Sequence, residues 1–154
     1  MKVIKADYSH IPALGRILHQ VNDIHADARP DIFIHGQRKY TDSELKDLLA
    51  DPARPVFVAE EGGEVLGYAF CFIENTERHN LRAEKTLFID DICVDETRRG
   101  KGVGKALYDY VNQYSRGIGC RRITLNVWNF NTGATEFYKK MGMNPLKTVM
   151  EQIL

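Results

Sequence analysis

The apolar residues of the chain alternate between a period near two and a period near 3.6, and the changes of period mark out its elements. Val3 to Ala6 is a short strand. Ser9 then has the position of an N-cap for a helix to about Ala28, with Ile11, Leu14, Leu18, Val21 and His25 on one face and Ile17 and Ile24 widening it. Arg29-Pro30-Asp31 stops that helix, and Ile32 to Tyr40 follows no regular period. Thr41 and Glu44 have capping-box spacing ahead of Leu45, Leu48 and Leu49, which predicts a second, short helix ended by Pro52 and Pro55. Val56 to Glu61 and Val65 to Ile73 are strand-like runs joined by Gly62-Gly63, a hairpin signal that makes them antiparallel neighbours, and the polar stretch Glu74 to Lys85 reads as a loop.

The most informative stretch runs from Thr86 to Tyr114. Thr86 to Val94 is rich in β-branched and aromatic residues and free of Gly and Pro, as a strand would be. From Gly102 the apolar residues Val103, Ala106, Leu107, Tyr110, Val111 and Tyr114 recur at helical spacing. Gly117 and Gly119 end this helix, and Arg121 to Trp128 forms another strand with Ile123, Leu125 and Val127 on one face and Thr124, Asn126 and Trp128 on the other. A strand, a crossover helix and a strand predict a parallel pair. Asn129 to Asn131 caps a last helix, Thr132 to Met141, and Met143 to Leu154 reads as a final edge strand broken near Pro145. The expected fold is a mixed α/β sheet flanked by helices, in one domain over residues 1–154.

Composition adds bounds. A chain of 154 residues buries a core without metals or disulfides, and 44% hydrophobic with 27% charged residues is ordinary for a globular protein. Lys plus Arg and Asp plus Glu both number 21, so net charge points to neither nucleic acid nor membrane. Cys71, Cys93 and Cys120 are widely spaced and form no CxxC or Cys/His cluster, which argues for free thiols and no metal, and with the lack of a long apolar run places the expected compartment in the cytoplasm. The cations are uneven, however: Arg98, Arg99, Lys101, Lys105, Arg121 and Arg122 crowd one region.

Three of these lie in the turn Arg99-Gly100-Lys101-Gly102-Val103-Gly104-Lys105 between strand and helix, and Arg98 directly precedes it. A strand-to-helix junction of this kind collects free backbone N–H groups and the positive end of a helix dipole, and glycines let an anion come close. The turn is a phosphate site by chemistry. A P-loop would need Ser or Thr where Ala106 stands, so the magnesium-binding hydroxyl of a nucleotide switch is missing. The dinucleotide pattern G-x-G-x-x-G starts at Gly100 and Gly102 but meets Lys105. A third pattern, Gln/Arg-x-x-Gly-x-Gly/Ala, is complete in Arg99, Gly102 and Gly104, and it is followed downstream by Asn131-x-x-Ala134-x-x-Phe137-Tyr138 and Lys139-Lys140-Met141-Gly142. With these two motifs in order on the expected elements, the chain resembles the Gcn5-related N-acetyltransferase (GNAT) superfamily.

That resemblance implies a central, twisted, mostly antiparallel sheet of six or seven strands with a splayed parallel pair and about four helices. It implies acetyl-CoA as co-substrate, with pyrophosphate on Arg99, Gly100, Lys101, Gly102, Val103, Gly104 and Lys105, and the pantetheine arm in the splay between residues 87–94 and 122–127. It further implies that backbone groups of Ile92 and Val94 hold the arm and the thioester carbonyl, that Asn131 reaches the cofactor, and that Tyr138 lies by the sulfur. Asn131 and Tyr138 are seven residues apart, which puts them on the same side of a helix.

Acetyl transfer to an amine needs a neutral nitrogen, a site for the developing oxyanion and a proton for the leaving thiolate. Tyr138, with an ordinary phenol pKa of ~10, suits the last role. An acidic pair inside an apolar strand is costly without a use, so Asp90 and Asp91 are candidates for the base. Strict alternation sets Asp90 with Phe88, Ile92 and Val94, and Asp91 opposite with Ile89 and Cys93. Asp90 is favoured as base; Asp91 equally suits substrate binding or structure. A buried Cys93 is expected to be a packing thiol, not an acyl carrier. The resemblance implies an acceptor site between His25 to Tyr40 and Glu74 to Lys85, lined from among His25, Asp31, Phe33, His35 and Glu77. The acceptor itself is expected to be a small-molecule or peptide amine, cationic if both aspartates face the cleft, attacking directly in a ternary complex. The competing reading is a non-catalytic acyl-CoA-binding module, and a homodimer paired through the last strand and a monomer are both open.

Overall fold

The computed structural model describes residues Met1–Leu154. Five strands form one sheet in sequence order: β1 (Lys2–Lys5), β2 (Val56–Glu61), β3 (Glu64–Thr76), β4 (Glu84–Val94) and β5 (Arg122–Leu125). Neighbours are antiparallel except β4 and β5, which are parallel. The helices are α1 (Ile11–Ala28), α2 (Asp42–Ala50), α3 (Val103–Gly117) and α4 (Thr132–Lys140).

Local chemistry accounts for most of these boundaries. Gly62 and Gly63 both have positive φ (59° and 83°), so the β2–β3 hairpin turns through two left-handed residues. Thr41 and Glu44 form the reciprocal capping box expected of α2. Ser9 does not cap α1. The N-cap of α1 is His10, which makes no side-chain cap, and Asp7 caps the short 3₁₀ turn (Tyr8–His10) that leads into the helix, accepting from Ser9 N–H.

The sheet is buried on both faces. On one, α1 and α2 pack Leu14, Ile17, Leu18 and Leu45 against Val58, Tyr68, Phe70 and Cys93. On the other, α3 packs Val103, Leu107 and Val111 against Phe57, Ala69, Leu87 and Ile89.

β3 and β4 run on into the stretch read as a loop, leaving only residues 77–83 between them, and two larger features also differ from expectation. The sheet has five strands, not six or seven, because Met143 to Leu154 forms no strand. Its apolar residues Leu146, Val149, Met150, Ile153 and Leu154 fall on both faces of an extended chain and all stay exposed, and Pro145 lacks an N–H to give to a ladder. Arg29, paired with both Asp31 and Glu151, ties this tail to the end of α1. The second difference is in β4. Phe70 pairs with Asp91 and Cys71 with Ile89, which leaves Asp90 as an extra residue in a β-bulge. The bulge breaks the alternation. Leu87 and Ile89 face α3, and so do Ile92 and Val94, while Cys93 faces α1.

Candidate active site

β4 and β5 pair only from Thr86–Arg122 to Ile89–Leu125. β4 then continues from Asp90 to Val94 with no strand on that side, so the pair opens into a wedge and the outward backbone groups of this segment lack ladder partners. Ile92 and Val94 lie on this open segment, with Ala69 and Gly67 opposite them on β3.

At the end of β4 the chain enters the glycine-rich turn. Gly100 and Gly102 have φ of 74° and 79°, conformations that a side chain would strain. Gly102 is the N-cap of α3 and offers no side chain to its first-turn N–H groups, which are left for a ligand. Val103 is different from its neighbours: its side chain is in the α3 core, so only its backbone faces outward. Of the six clustered cations, Arg98 pairs with Glu64, Lys105 with Asp109, and Arg121 and Arg122 with Glu84. Arg99 and Lys101 are exposed and without a carboxylate partner, both on the turn itself. Free N–H groups, two unpaired cations and closely approachable backbone fit a pyrophosphate.

The turn is anchored from behind. The buried Asp95 accepts hydrogen bonds from Arg16 and Gln20 of α1 and from the N–H and hydroxyl of Thr97. Burial alone would raise its pKa, but the bonds from Arg16 and Thr97 outweigh it and hold the carboxyl well below the usual range.

The bulge brings both aspartates to the α1–α2 side of the sheet, where alternation would have set them on opposite faces. Asp90 accepts from Lys39 Nζ and from Tyr40 Oη, each at 2.7 Å. Asp91 accepts from Tyr68 Oη at 2.7 Å. Although part of the Asp91 residue reaches solvent, its carboxyl lies deep enough that burial pushes its pKa up to about 6 against the pull of Tyr68 and Lys39. Tyr138, on α4, packs beside Phe137 and Tyr108 with ring centroids 5.1 and 6.4 Å away. Burial, reinforced by the nearby Asp91 charge, raises its phenol well above the ordinary value. Asn131 is the N-cap of the same helix, its Oδ1 accepting from Ala134 N–H, and it borders a cavity of about 360 Å³ with Ile24, Asp27, Ala28 and Phe130. Cys93 is a packing thiol whose burial pushes its pKa up to about 12.

Of the expected acceptor-side residues, His25 and Phe33 come together, with centroids 5.0 Å apart. Trp128 and Phe130, stacked at 5.8 Å, complete a four-ring cluster with them. Burial, then the Lys39 charge, lowers the His25 pKa. His35 instead pairs with Asp23 and Asp27, and Asp31 with Arg29. Glu77 lies elsewhere, in a polar hollow with Glu74, Arg78 and Leu81. Sequence reasoning missed Lys39, Tyr40, Tyr68, Trp128 and Phe130 as site residues. Tyr68 alone had a signal, as a bulky polar-tipped residue in a strand running beside the acids.

The family description "Acetyltransferase (GNAT) family" matches residues 18–143, a span that includes the wedge, the turn and Tyr138. The chain belongs to the GNAT family. Members use acetyl-CoA as co-substrate. Among relatives of this GNAT chain, an uncharacterised N-acetyltransferase of Methanocaldococcus jannaschii is 32% identical over 122 residues, covering 77% of this chain and 52% of its own. The thialysine N-ε-acetyltransferase of Bos taurus is 23% identical over 111 residues, covering 72% of this chain and 60% of its own. The chain thus spans between half and two thirds of the length of these curated relatives. A crystal structure of a Bacillus halodurans protein superposes over 100% of this GNAT chain and 99% of its own with a TM-score of 0.95 and 29% identity.

Proposed function

We propose that this chain, as one domain over residues 1–154, is an N-acetyltransferase moving an acetyl group from acetyl-CoA to a primary amine by direct attack. The observation that carries the reading is the convergence on one open segment of β4: an anion-ready turn at its end, exposed backbone along it, and the acid pair Asp90 and Asp91 at its start. In this reading the turn from Arg99 to Lys105 binds the pyrophosphate, and the backbone at Ile92 and Val94 aligns the pantetheine arm. Asn131 contacts the cofactor from the start of α4. Acetyl-CoA supplies an activated acyl group at the wedge.

Roles divide between the acids by environment. Asp90, held by Lys39 and Tyr40, binds the acceptor's ammonium group. Asp91, with its raised pKa, takes the proton from that nitrogen, since a base titrating near neutrality is both ionised and basic enough. This reverses the assignment favoured by the sequence alone. Tyr138, kept protonated by burial, hydrogen-bonds the sulfur and protonates it as it leaves. The bovine relative, an N-ε-acetyltransferase of thialysine by name, supports an amine as acceptor.

The test is a panel of primary amines, including spermidine, lysine and a peptide N-terminus, incubated with protein and acetyl-CoA and read by mass spectrometry for the acetylated amine. Product from at least one amine is expected. Calorimetric binding of acetyl-CoA with no amine acetylated would favour the acyl-CoA-binding module instead.

A further inference from the structure

The partner of Asp90 is itself an amine. Lys39 Nζ lies 2.7 Å from Asp90 Oδ1 and 5.5 Å from the centroid of the Tyr40 ring, while Tyr40 Oη holds the other carboxylate oxygen. The Asp90 side chain is 12% exposed and that of Lys39 46%, so a nearly enclosed acid is capped by a side chain that enters from solvent. The charge of Lys39 is also felt at Asp91 and at His25. No other cation pairs with Asp90.

Resting on the acetyltransferase reading above, we propose that Lys39 occupies the acceptor-amine subsite as a tethered stand-in, and that the acceptor is a terminal primary ammonium on an unbranched alkyl chain, which displaces it. The subsite is shaped by the group that fills it. The ammonium at the end of a four-carbon stem sits over the Tyr40 ring and against a carboxylate, which is the recognition pattern of charge-assisted hydrogen bonding plus a cation–π face. Displacement requires only a side-chain rotation, because Lys39 lies in the turn-rich connection between α1 and α2 and donates no other side-chain hydrogen bond. A ligand on the same chain competes at a high effective concentration, so Lys39 raises the concentration of acceptor needed for half-occupancy. Amines that are branched next to the nitrogen, or too short to span from solvent to Asp90, do not displace it efficiently.

The experiment uses cadaverine, an unbranched diamine, with the full chain saturated with CoA for calorimetry and with acetyl-CoA for turnover. Lys39→Met keeps the stem and removes the charge; it is expected to tighten cadaverine binding and lower its KM by about three- to tenfold. Lys39→Arg, which keeps a cation on Asp90, is expected to bind no tighter than the wild type. Arg38→Met removes an adjacent cation paired with Asp42 instead of Asp90 and controls for a general change in charge. Binding to Lys39→Met that is unchanged or weaker than the wild type, or an equal gain in Arg38→Met, overturns the proposal. Tighter binding without acetyl transfer in any variant leaves the subsite intact and removes the enzymatic reading, whereas transfer with no gain in Lys39→Met does the reverse.

Discussion

Replacing Asp91 by Asn separates the proposed base from every other group in the site, and its consequences can be worked out in advance. The carboxyl has a pKa of about 6, raised chiefly by burial. It is therefore about nine-tenths ionised at pH 7 and about one-tenth ionised at pH 5, so a step that needs the carboxylate slows about tenfold between them. If Asp90 binds the acceptor as its ammonium ion, kcat/KM rises tenfold per pH unit up to about 6 and then levels off until the amine itself titrates near ~10. In Asp91→Asn the plateau disappears: activity at pH 7 falls by about 10²–10⁴ and keeps rising with the free amine concentration. Stability moves the opposite way. A folded pKa above the unfolded value of ~3.9 means that the protonated carboxyl favours folding; this contribution is complete below pH ~4 and is lost as pH rises through 6. The difference has a ceiling of about 3 kcal/mol, so Asp91→Asn, whose amide still accepts from Tyr68, is more stable than the wild type at pH 7.5 by up to that amount and has little advantage at pH 4. Urea melts at the two pH values and initial rates from pH 5 to 9 check both arms. A plateau above pH 6 that survives in Asp91→Asn, or a stability difference that ignores pH, would refute the assignment.

Other perturbations probe the remaining parts. Tyr138→Phe removes one hydroxyl and is expected to lower kcat by at least about 10², with the KM for acetyl-CoA nearly unchanged; a wild-type kcat would end its role as acid. A Cβ on Gly67 would fall 2.6 Å from the Cys93 carbonyl oxygen, which is backbone and cannot step aside. Gly67→Ala should force β3 and β4 apart beside Val94, with a loss of about 1–3 kcal/mol in a thermal or urea melt and weaker acetyl-CoA binding. A melt identical to that of the wild type would show that the strands yield there.

The parts of the molecule legible in the sequence are those set by local chemistry. Gly62-Gly63 could only be a tight turn, Thr41 and Glu44 could only cap a helix, and Arg99 to Lys105 announced an anion site through residues that touch one another along the chain. The misread parts depend on distant partners. Asp90 and Asp91 were assigned to opposite faces because alternation assumes one residue per rung, and a bulge leaves no mark in a run such as Phe88-Ile89-Asp90-Asp91-Ile92. Met143 to Leu154 has the apolar content of a strand, but a strand needs an edge to join, and that is not written in its own residues. His25 and Phe33 lie about a hundred positions from Trp128 and Phe130, and only the closing of the connection after α1 over the end of β5 makes them one cluster.

The extra residue in β4 also sets a limit on how this protein can change. Because Asp90 is the extra residue, deleting it would restore strict alternation and leave Ile92 and Val94 toward α3 and Cys93 toward α1, whereas inserting one more residue there without a second bulge would turn Ile92 and Val94 toward α1 and Cys93 toward α3, exchanging the lining of the wedge in a single step. Substitutions in the segment can be made one at a time, and the bulge residue can be lost without a change of register, but the segment cannot be lengthened. A directed-evolution library aimed at new acceptors should therefore vary side chains around Asp90 and confine insertions to the connection that carries Lys39, where the backbone obeys no such counting rule.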